Sequence, residues 1–278
     1  MCIRDRDQEL DNLRAALAWA VDQQDREQGL RAASALRDFW HLHGYLREGQ
    51  QWLQDLLAPP VDHTRDIPAS IQAKALTVAA WLAFQQSDYT RATALATQGL
   101  ALQRELGDTA GIADALDTLA EVARDQGDFE CAVAQHEESL ALRQALGDHW
   151  GILFSLINLG NVARARGAYA RATALYEDCI ALGRTLGDLA SLAYPLTNLG
   201  DIARLQGDLG RATALHEESL ALCQGLRNKE GQAFALTHLG HVARAQGDLR
   251  RAATLYADSL ALRRELGAVW AIADALHS

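Results

Sequence analysis

A five-residue phrase, Arg-Ala-Thr-Ala-Leu, recurs along this chain in steps of 40 residues or multiples of 40. It occupies residues 91–95, 171–175 and 211–215, and weaker copies begin at Cys131 and Arg251. A turn precedes each copy, with glycine at positions 127, 167, 207 and 247. A fixed period of this length is typical of a solenoid, in which each unit buries its apolar face only against its neighbours. The repeat therefore constrains the fold more strongly than any single motif.

Each repeat unit contains two segments with helical periodicity. Leu236, Leu239, Gly240 and Ala243 share one face of a predicted helix over 230–247. A second helix is predicted over 249–266. The Gly-Asp turn between them provides an acidic N-cap, and a Leu-Gly-Asp phrase at 106–108, 146–148 and 186–188 provides a glycine C-cap. Each unit is thus predicted to be two antiparallel helices of about four turns each.

The spacing of these residues resembles the tetratricopeptide repeat. Leu239-Gly240, the turn residue Gly247, Ala252 and Tyr256 follow the order of that family's pattern. The chain departs from this pattern because it lacks the first Trp and the closing Pro. Its unit has 40 residues, whereas the family's unit has about 34. The resemblance implies an all-α, right-handed α-solenoid of antiparallel helix pairs. It also implies a concave groove that binds a protein or peptide partner.

Composition changes along the chain predict four segments. Residues 1–6 bear no relation to the rest of the chain and are expected to be a non-native leader. Residues 7–60 are predicted to be irregularly helical with a divergent repeat over 26–58, and 61–69 to be a linker, since Pro59, Pro60 and Pro68 cluster there. Residues 70–278 are predicted to hold five regular repeats and a truncated further helix, as expected of a fragment. Pro195 is expected in the first turn of its helix.

The segment from Glu9 to Ala20 resembles a junction in large bacterial signal-transduction ATPases and related transcriptional regulators. In those proteins the junction leads from the nucleotide-binding region into a repeat arm that acts as a sensor. The resemblance implies that this chain is a regulatory or sensor arm, and that any ATPase and DNA-binding modules lie upstream of it.

Charge and composition exclude several classes of partner. The net charge of -10 argues against nucleic acid, which needs a basic surface. The four cysteines form no CxxC pair, which predicts free thiols in a reducing compartment. No apolar run approaches membrane-spanning length and no signal peptide opens the chain. The expectation is a cytoplasmic protein without membrane contact.

The sequence carries no signature of catalysis. The phosphate-binding GxxxxGK[ST] pattern, GxSxG and GxGxxG are all missing, so we expect no enzyme activity and no cofactor. The phrase His-Glu-Glu-Ser-Leu begins at His136 and at His216 and resembles half of a zinc motif. The residue four positions after each histidine is a leucine, so the second ligand is missing and no metal site is expected. We expect both histidines to pack as Tyr176 and Tyr256 do in sister repeats.

An arginine recurs at the end of each first helix, at positions 124, 164, 204 and 244. Such a ladder suggests an anion-binding groove. Local pairing explains it more simply, because Asp128, Asp208 and Asp248 follow three of the arginines by four residues and a cation suits the helix C-terminus.

The best candidates for binding lie opposite the apolar face of the first helices. With Leu239, Gly240 and Ala243 pointing inward, a rotation of about 100° per residue places Phe234, His238 and His241 on the other side. In the resembled family this side lines the concave groove. The corresponding residues earlier in the chain begin with Asp114, Thr118 and Glu121. The predicted binding residues are Phe154, Asn158, Asn161, Tyr194, Asn198, Asp201, Phe234, His238 and His241, hereafter the row.

Two functions remain open for such an arm. A scaffold would bind an extended peptide or partner helix over several repeats, and a sensor would bind a small effector in one or two of them. The aromatics at 154, 194 and 234 could stack on an apolar or sugar-like ring. The row could also be only a solvated face, with its aromatics packed against neighbouring helices. A protein-binding arm is the preferred prediction, and RNA binding is disfavoured by the acidic residues of the row.

Overall fold

The computed structural model describes residues 3–23, 25–58 and 67–266. Over these ranges the chain forms fourteen α-helices and one 3-10 helix, without a strand, so the predicted all-α class of helix pairs is confirmed. None of the described helices is long and apolar enough to cross a membrane. The chain divides into two compact units between His149 and Trp150. The predicted terminal helix after 266 and most of the predicted linker lie outside the described residues.

The first unit begins with four helices that depart from the regular repeat. Trp40 fills the core here, its ring lying against Gly49, where an added Cβ would be 2.5 Å away. Gly44 has φ of +75° and makes the turn that was predicted for the divergent repeat. The helices are α1 (Ile3–Asp22), α2 (Arg26–Ala35), α3 (Arg37–Leu42) and α4 (Leu46–Leu57).

Two regular helix pairs complete the first unit. Their helices are 17 or 18 residues long and are joined by short turns, as the period predicts. They are α5 (Ala69–Gln85), α6 (Tyr89–Leu106), α7 (Thr109–Asp125) and α8 (Phe129–Leu146).

The second unit contains three further pairs, beginning in α9 (His149–Ala165). Pro195 is the third residue of its helix, so the prediction of a first-turn proline is confirmed. A 3-10 helix over Ala190–Leu192 replaces the helical start seen in the other repeats, because proline cannot donate to a carbonyl four residues earlier. The other helices are α10 (Tyr169–Leu186), α11 (Ala193–Leu205), α12 (Leu209–Gly225), α13 (Lys229–Ala245) and α14 (Leu249–Glu265).

The predicted caps are present at both kinds of turn. Asp208 accepts a hydrogen bond from the backbone N–H of Arg211 at 2.9 Å, and Asp248 does the same for Arg251. Gly147 ends α8 in the left-handed conformation with φ of +66°. These contacts satisfy backbone groups that the helix ends would otherwise leave unpaired.

In α9, α11 and α13 the glycine of a Leu-Gly pair lies against the ring of the following second helix. Tyr176 packs on Gly160, and a Cβ added to that glycine would lie 2.5 Å from the ring. His216 packs on Gly200 at the same distance. The expected packing role of His216 is therefore confirmed, and His136 is likewise fully buried.

Candidate functional site

The nine residues of the row all lie in the second unit, on α9, α11 and α13, but they differ in burial. The side chains of Tyr194 and Phe234 are exposed, with 44% and 37% of their surface accessible. Asn158, Asn161 and Asn198 are buried. The row therefore exposes two of its rings, Tyr194 and Phe234, and keeps its amides inside.

Tyr194 and Phe234 form a stacked pair on the outside of α11 and α13. Their ring centroids are 6.3 Å apart and the ring planes differ by only 10°. Phe234 also contacts a third ring, because the centroid of the His238 ring lies 4.4 Å from that of Phe234 in an edge-on arrangement. Phe234 thus joins an exposed aromatic surface to a partly buried imidazole.

Phe154, which is half-buried, forms a second ring pair with a residue that was not predicted. Its partner is Trp150, which is 66% exposed and stacks at 5.7 Å with an interplanar angle of 8°. The two residues are four apart in α9, a spacing that places side chains on the same face of a helix. This spacing was the signal that could have identified Trp150 from the sequence.

The amides of the row link helices inside the second unit. Asn161 accepts hydrogen bonds through its Oδ1 from the hydroxyl of Tyr176 at 2.7 Å and from the amide of Asn198 at 3.2 Å. The Nδ2 of Asn158 is buried without a hydrogen-bond partner. Asn161 and Asn198 therefore act first as structural contacts between α9, α10 and α11.

Two residues of the row, Asp201 and His238, meet His216, which was not predicted as a site residue, in the second unit. Asp201 on α11, His216 on α12 and His238 on α13 place one ligand-type atom each within 4.8 Å of the others. Nδ1 of His238 lies 3.0 Å from Oδ1 of Asp201. The rings of His216 and His238 have centroids 5.3 Å apart. We call these three residues the Asp-His-His cluster.

The environment of the Asp-His-His cluster sets its charge. Burial and the nearby charge of His238 lower the pKa of His216 to about 4, so this imidazole is neutral at neutral pH. Burial acts to raise the pKa of Asp201, but the contact with His238 and the charges of His238 and Arg204 lower it to about 2. The cluster therefore holds a carboxylate beside a neutral imidazole.

His241, the last residue of the row, contacts the second helix of its own repeat. Its Nδ1 lies 2.8 Å from the hydroxyl of Tyr256. Burial, followed by the charge of His238, lowers the pKa of His241 to about 4. His241 is therefore neutral at physiological pH and belongs to a run of rings that extends from Tyr194 to Tyr256.

The acidic residues at corresponding positions in the first unit are paired internally. Arg143 is buried and its guanidinium lies 2.8 Å from Asp114 and 2.7 Å from Asp117. Asp117 also lies 3.1 Å from Nδ1 of the buried His136. These charges stabilise the interior of α7 and α8. Asp117 was not among the predicted residues because it is buried, whereas the prediction concerned the outer side of α7.

Two of the four arginines of the ladder form local ion pairs. Arg124 pairs with Glu121 at 2.7 Å and Arg204 with Asp201 at 3.3 Å, in both cases one helical turn back along the chain. Asp128 and Asp208, the partners predicted from the sequence, cap the following helices. The ladder therefore has a structural role at these two positions.

Comparison with known proteins identifies the repeat. A family model described as tetratricopeptide repeat matches residues 111–185 and 188–265, more than half of the chain. The chain is also 36% identical over 112 residues to a protein of Mycobacterium tuberculosis provisionally named an HTH-type transcriptional regulator. A Mycobacterium bovis protein with the same type of name matches equally well. The matched segment covers 39% of this chain and 13% of each relative.

Solved structures share the fold at low sequence identity. A signal-transduction ATPase with numerous domains and a tetratricopeptide repeat sensor, from Pyrococcus horikoshii, gives a TM-score of 0.66 at 13% identity, covering 90% of this chain and 41% of that one. The quorum sensor NprR of B. thuringiensis gives 0.61 at 14% identity, covering 93% and 77%. BtubC of P. vanneervenii gives 0.60 at 19%, covering 87% and 92%. At these identities the similarity concerns the fold alone.

Proposed function

The chain belongs to the tetratricopeptide repeat family, and we propose that it is the protein-binding regulatory arm of a larger bacterial signalling or transcription-regulating ATPase. Repeats of this family are interaction scaffolds. On this proposal the arm works in the cytoplasm and catalyses nothing itself. Its partner is a protein or an extended peptide, and it contacts neither nucleic acid nor membrane.

The observation that carries the binding proposal is a pair of ring stacks in the second unit, in which Trp150, Tyr194 and Phe234 are exposed and Phe154 is half-buried. Tyr194 and Phe234 form one stack, and Trp150 and Phe154 form the other. Exposed aromatic surface is unusual on a monomer and is enriched where protein interfaces contribute most to affinity. Because the stacks belong to different repeats, a partner that contacts both must extend along the unit.

The regulatory part of the proposal is supported by what the chain resembles. The curated relatives carry the name of DNA-binding regulators, and the fold is shared with the repeat sensor of a signal-transduction ATPase. The gene upstream of Asp7 provides a direct test. We expect it to encode a GxxxxGK[ST] phosphate loop and a helix-turn-helix module, and their absence from the complete gene would contradict the regulatory role.

A small-effector sensor is the second candidate function, and the continuous run of rings favours it. Phe234 touches His238, so an aromatic or sugar-like ligand resting on the Tyr194 stack would have a polar imidazole beneath it. Such a ligand would contact a single stack. An extended peptide would use both.

This difference defines the experiment. Peptides from a random library are selected against the whole chain, and their affinity is compared in Phe154→Ala and in Phe234→Ala. If the arm is a scaffold, each replacement should weaken peptide binding at least tenfold. If it is an effector site, only Phe234→Ala should weaken the binding of the selected ligand. Leu249→Ala is the matched control, because Leu249 is 67% exposed and lies on a second helix. Equal losses in the control would contradict a defined binding row.

A further inference from the structure

The fold brings the same three positions together in consecutive repeats. In one repeat they hold Asn161, Tyr176 and Asn198, and forty residues later they hold Asp201, His216 and His238. Both sets join a first helix, its second helix and the next first helix. The positions thus have identical placement but different chemistry, so the two sets can be compared directly.

The first set is satisfied by hydrogen bonds among its own members. The hydroxyl of Tyr176 and the amide of Asn198 both donate to Oδ1 of Asn161. An amide and a phenol suit this place, because each offers a neutral polar group that can reach its neighbour. Nothing in this set is a good ligand for a metal ion.

The second set leaves its central residue without a partner. His216 is fully buried, and neither its Nδ1 nor its Nε2 has a hydrogen-bond partner. A buried polar group without a partner is destabilising, and native proteins rarely keep one without a function. The ring faces His238, 5.3 Å away between centroids, and Gly200 provides the space that it occupies.

We propose that Asp201, His216 and His238 bind a divalent metal ion of the zinc class between α11, α12 and α13. Two imidazoles and one carboxylate are a ligand set that transition-metal ions take, with the remaining position left for water or a partner's side chain. Asp201 and His238 also belong to the row, but metal binding does not depend on the ring stacks that carry the proposed partner-binding function. Phe234 links the two sites through its contact with His238.

The geometry is close to what such an ion requires. Zinc bonds of about 2.0–2.1 Å at tetrahedral angles place ligand atoms about 3.4 Å apart. The three atoms already lie within 4.8 Å of one another, so small side-chain rotations close the site.

One cation competes with the ion for the carboxylate. Nε of Arg204 lies 3.3 Å from Oδ1 of Asp201, the same oxygen that faces His238. Removing this charge should strengthen metal binding. Arg204→Gln is therefore expected to raise the affinity for Zn²⁺ severalfold, which a merely adventitious surface site would not show.

The test uses the whole chain without a histidine tag and measures Zn²⁺ binding by competition with a chromophoric chelator. Three replacements introduce the residue that a sister repeat carries at the same position: Asp201→Asn, His216→Tyr and His238→Asn. Each should retain the fold, as checked by its melting temperature. His136→Tyr makes the same change outside the Asp-His-His cluster and is the control.

We expect one Zn²⁺ per chain in the native protein and in the control, and at least tenfold weaker binding in the three cluster variants. Co²⁺ in place of Zn²⁺ should give visible absorption that the same variants lose. Absence of a stoichiometric ion in the native protein, or unchanged binding in His216→Tyr and His238→Asn, would overturn the proposal. If His216→Tyr unfolds, Asp201→Asn and His238→Asn decide whether the cluster binds the ion. A negative result for metal binding leaves the peptide-binding test unaffected.

Discussion

The ring of Tyr194 stacks almost in parallel on the ring of Phe234, although 40 residues separate them in the chain. The contact results from the repeat, because residues one period apart occupy the same position on adjacent first helices. A contact between positions one helical turn out of this register brings Asn161 and Asn198, 37 residues apart, within hydrogen-bonding distance. Adjacent repeats thus build a continuous surface. The residue at each position determines whether that surface can bind a partner, pack against a neighbouring helix or coordinate a metal ion.

The contact between Gly160 and Tyr176 should be intolerant of even one added methyl group. We expect Gly160→Ala to lower the free energy of unfolding by about 1–3 kcal/mol, because its Cβ would meet a fully buried ring. Denaturant unfolding measures the change. The control is Gly225→Ala near the end of α12, where nothing lies within 4 Å of the added Cβ, and equal losses in both variants would contradict this packing.

Arg227 stands where other repeats have a turn glycine. Its φ is +53°, in the left-handed region, and Gly107, Gly147 and Gly187 hold the same place in earlier repeats. Arg227→Gly should therefore raise the free energy of unfolding by about 1 kcal/mol, because glycine adopts this conformation without steric cost. Arg227→Ala, which keeps a Cβ, is the control and should bring no such gain. A lower free energy of unfolding in Arg227→Gly would contradict the alignment of position 227 with the turn glycines of the earlier repeats.

His136 should make the stability of the first unit depend on pH. Burial lowers its pKa, but contacts with Asp117 and Glu121 outweigh burial and leave the pKa above the usual 6.5. Its stabilising effect is thus complete below the unfolded pKa and is lost as the pH rises through the folded value. The carboxylates are themselves held by Arg143 and Arg124, which stay charged.

Unfolding free energies at pH 6 and pH 9 check this expectation. The native chain should lose more stability over this interval than His136→Tyr, which places the sister repeat's residue at the same position. An NMR titration measures the pKa of His136 directly. Identical pH profiles for the two chains, or a His136 pKa below 6.5, would show that burial dominates.

Local patterns in the sequence predicted the helices, the caps and the packing positions of His136 and His216, because each depends on residues within one repeat. The start of α11 differed, since Pro195 delays the regular helix and a 3-10 turn precedes it. The burial of Asn158, Asn161 and Asn198 could not be predicted from one helix, because the neighbouring helices cover them. The nine-residue row remains a prediction as a binding site.

The Asp-His-His cluster escaped the sequence analysis for a similar reason. The zinc-like phrase lies within one helix, where Leu220 replaces the second ligand. The ligands come instead from three helices, and only alignment of residues 201, 216 and 238 with 161, 176 and 198 could have associated them.

The central claim is that exposed rings on the first helices bind a partner, and one comparison of affinities tests it most directly. Peptides selected against the whole chain are titrated by fluorescence anisotropy into the native protein, Tyr194→Ala/Phe234→Ala and the control Leu249→Ala. We predict at least a tenfold loss of affinity in the double variant and none in the control, because exposed aromatic side chains contribute most to such interfaces. Equal binding by the native protein and a folded double variant would contradict the claim.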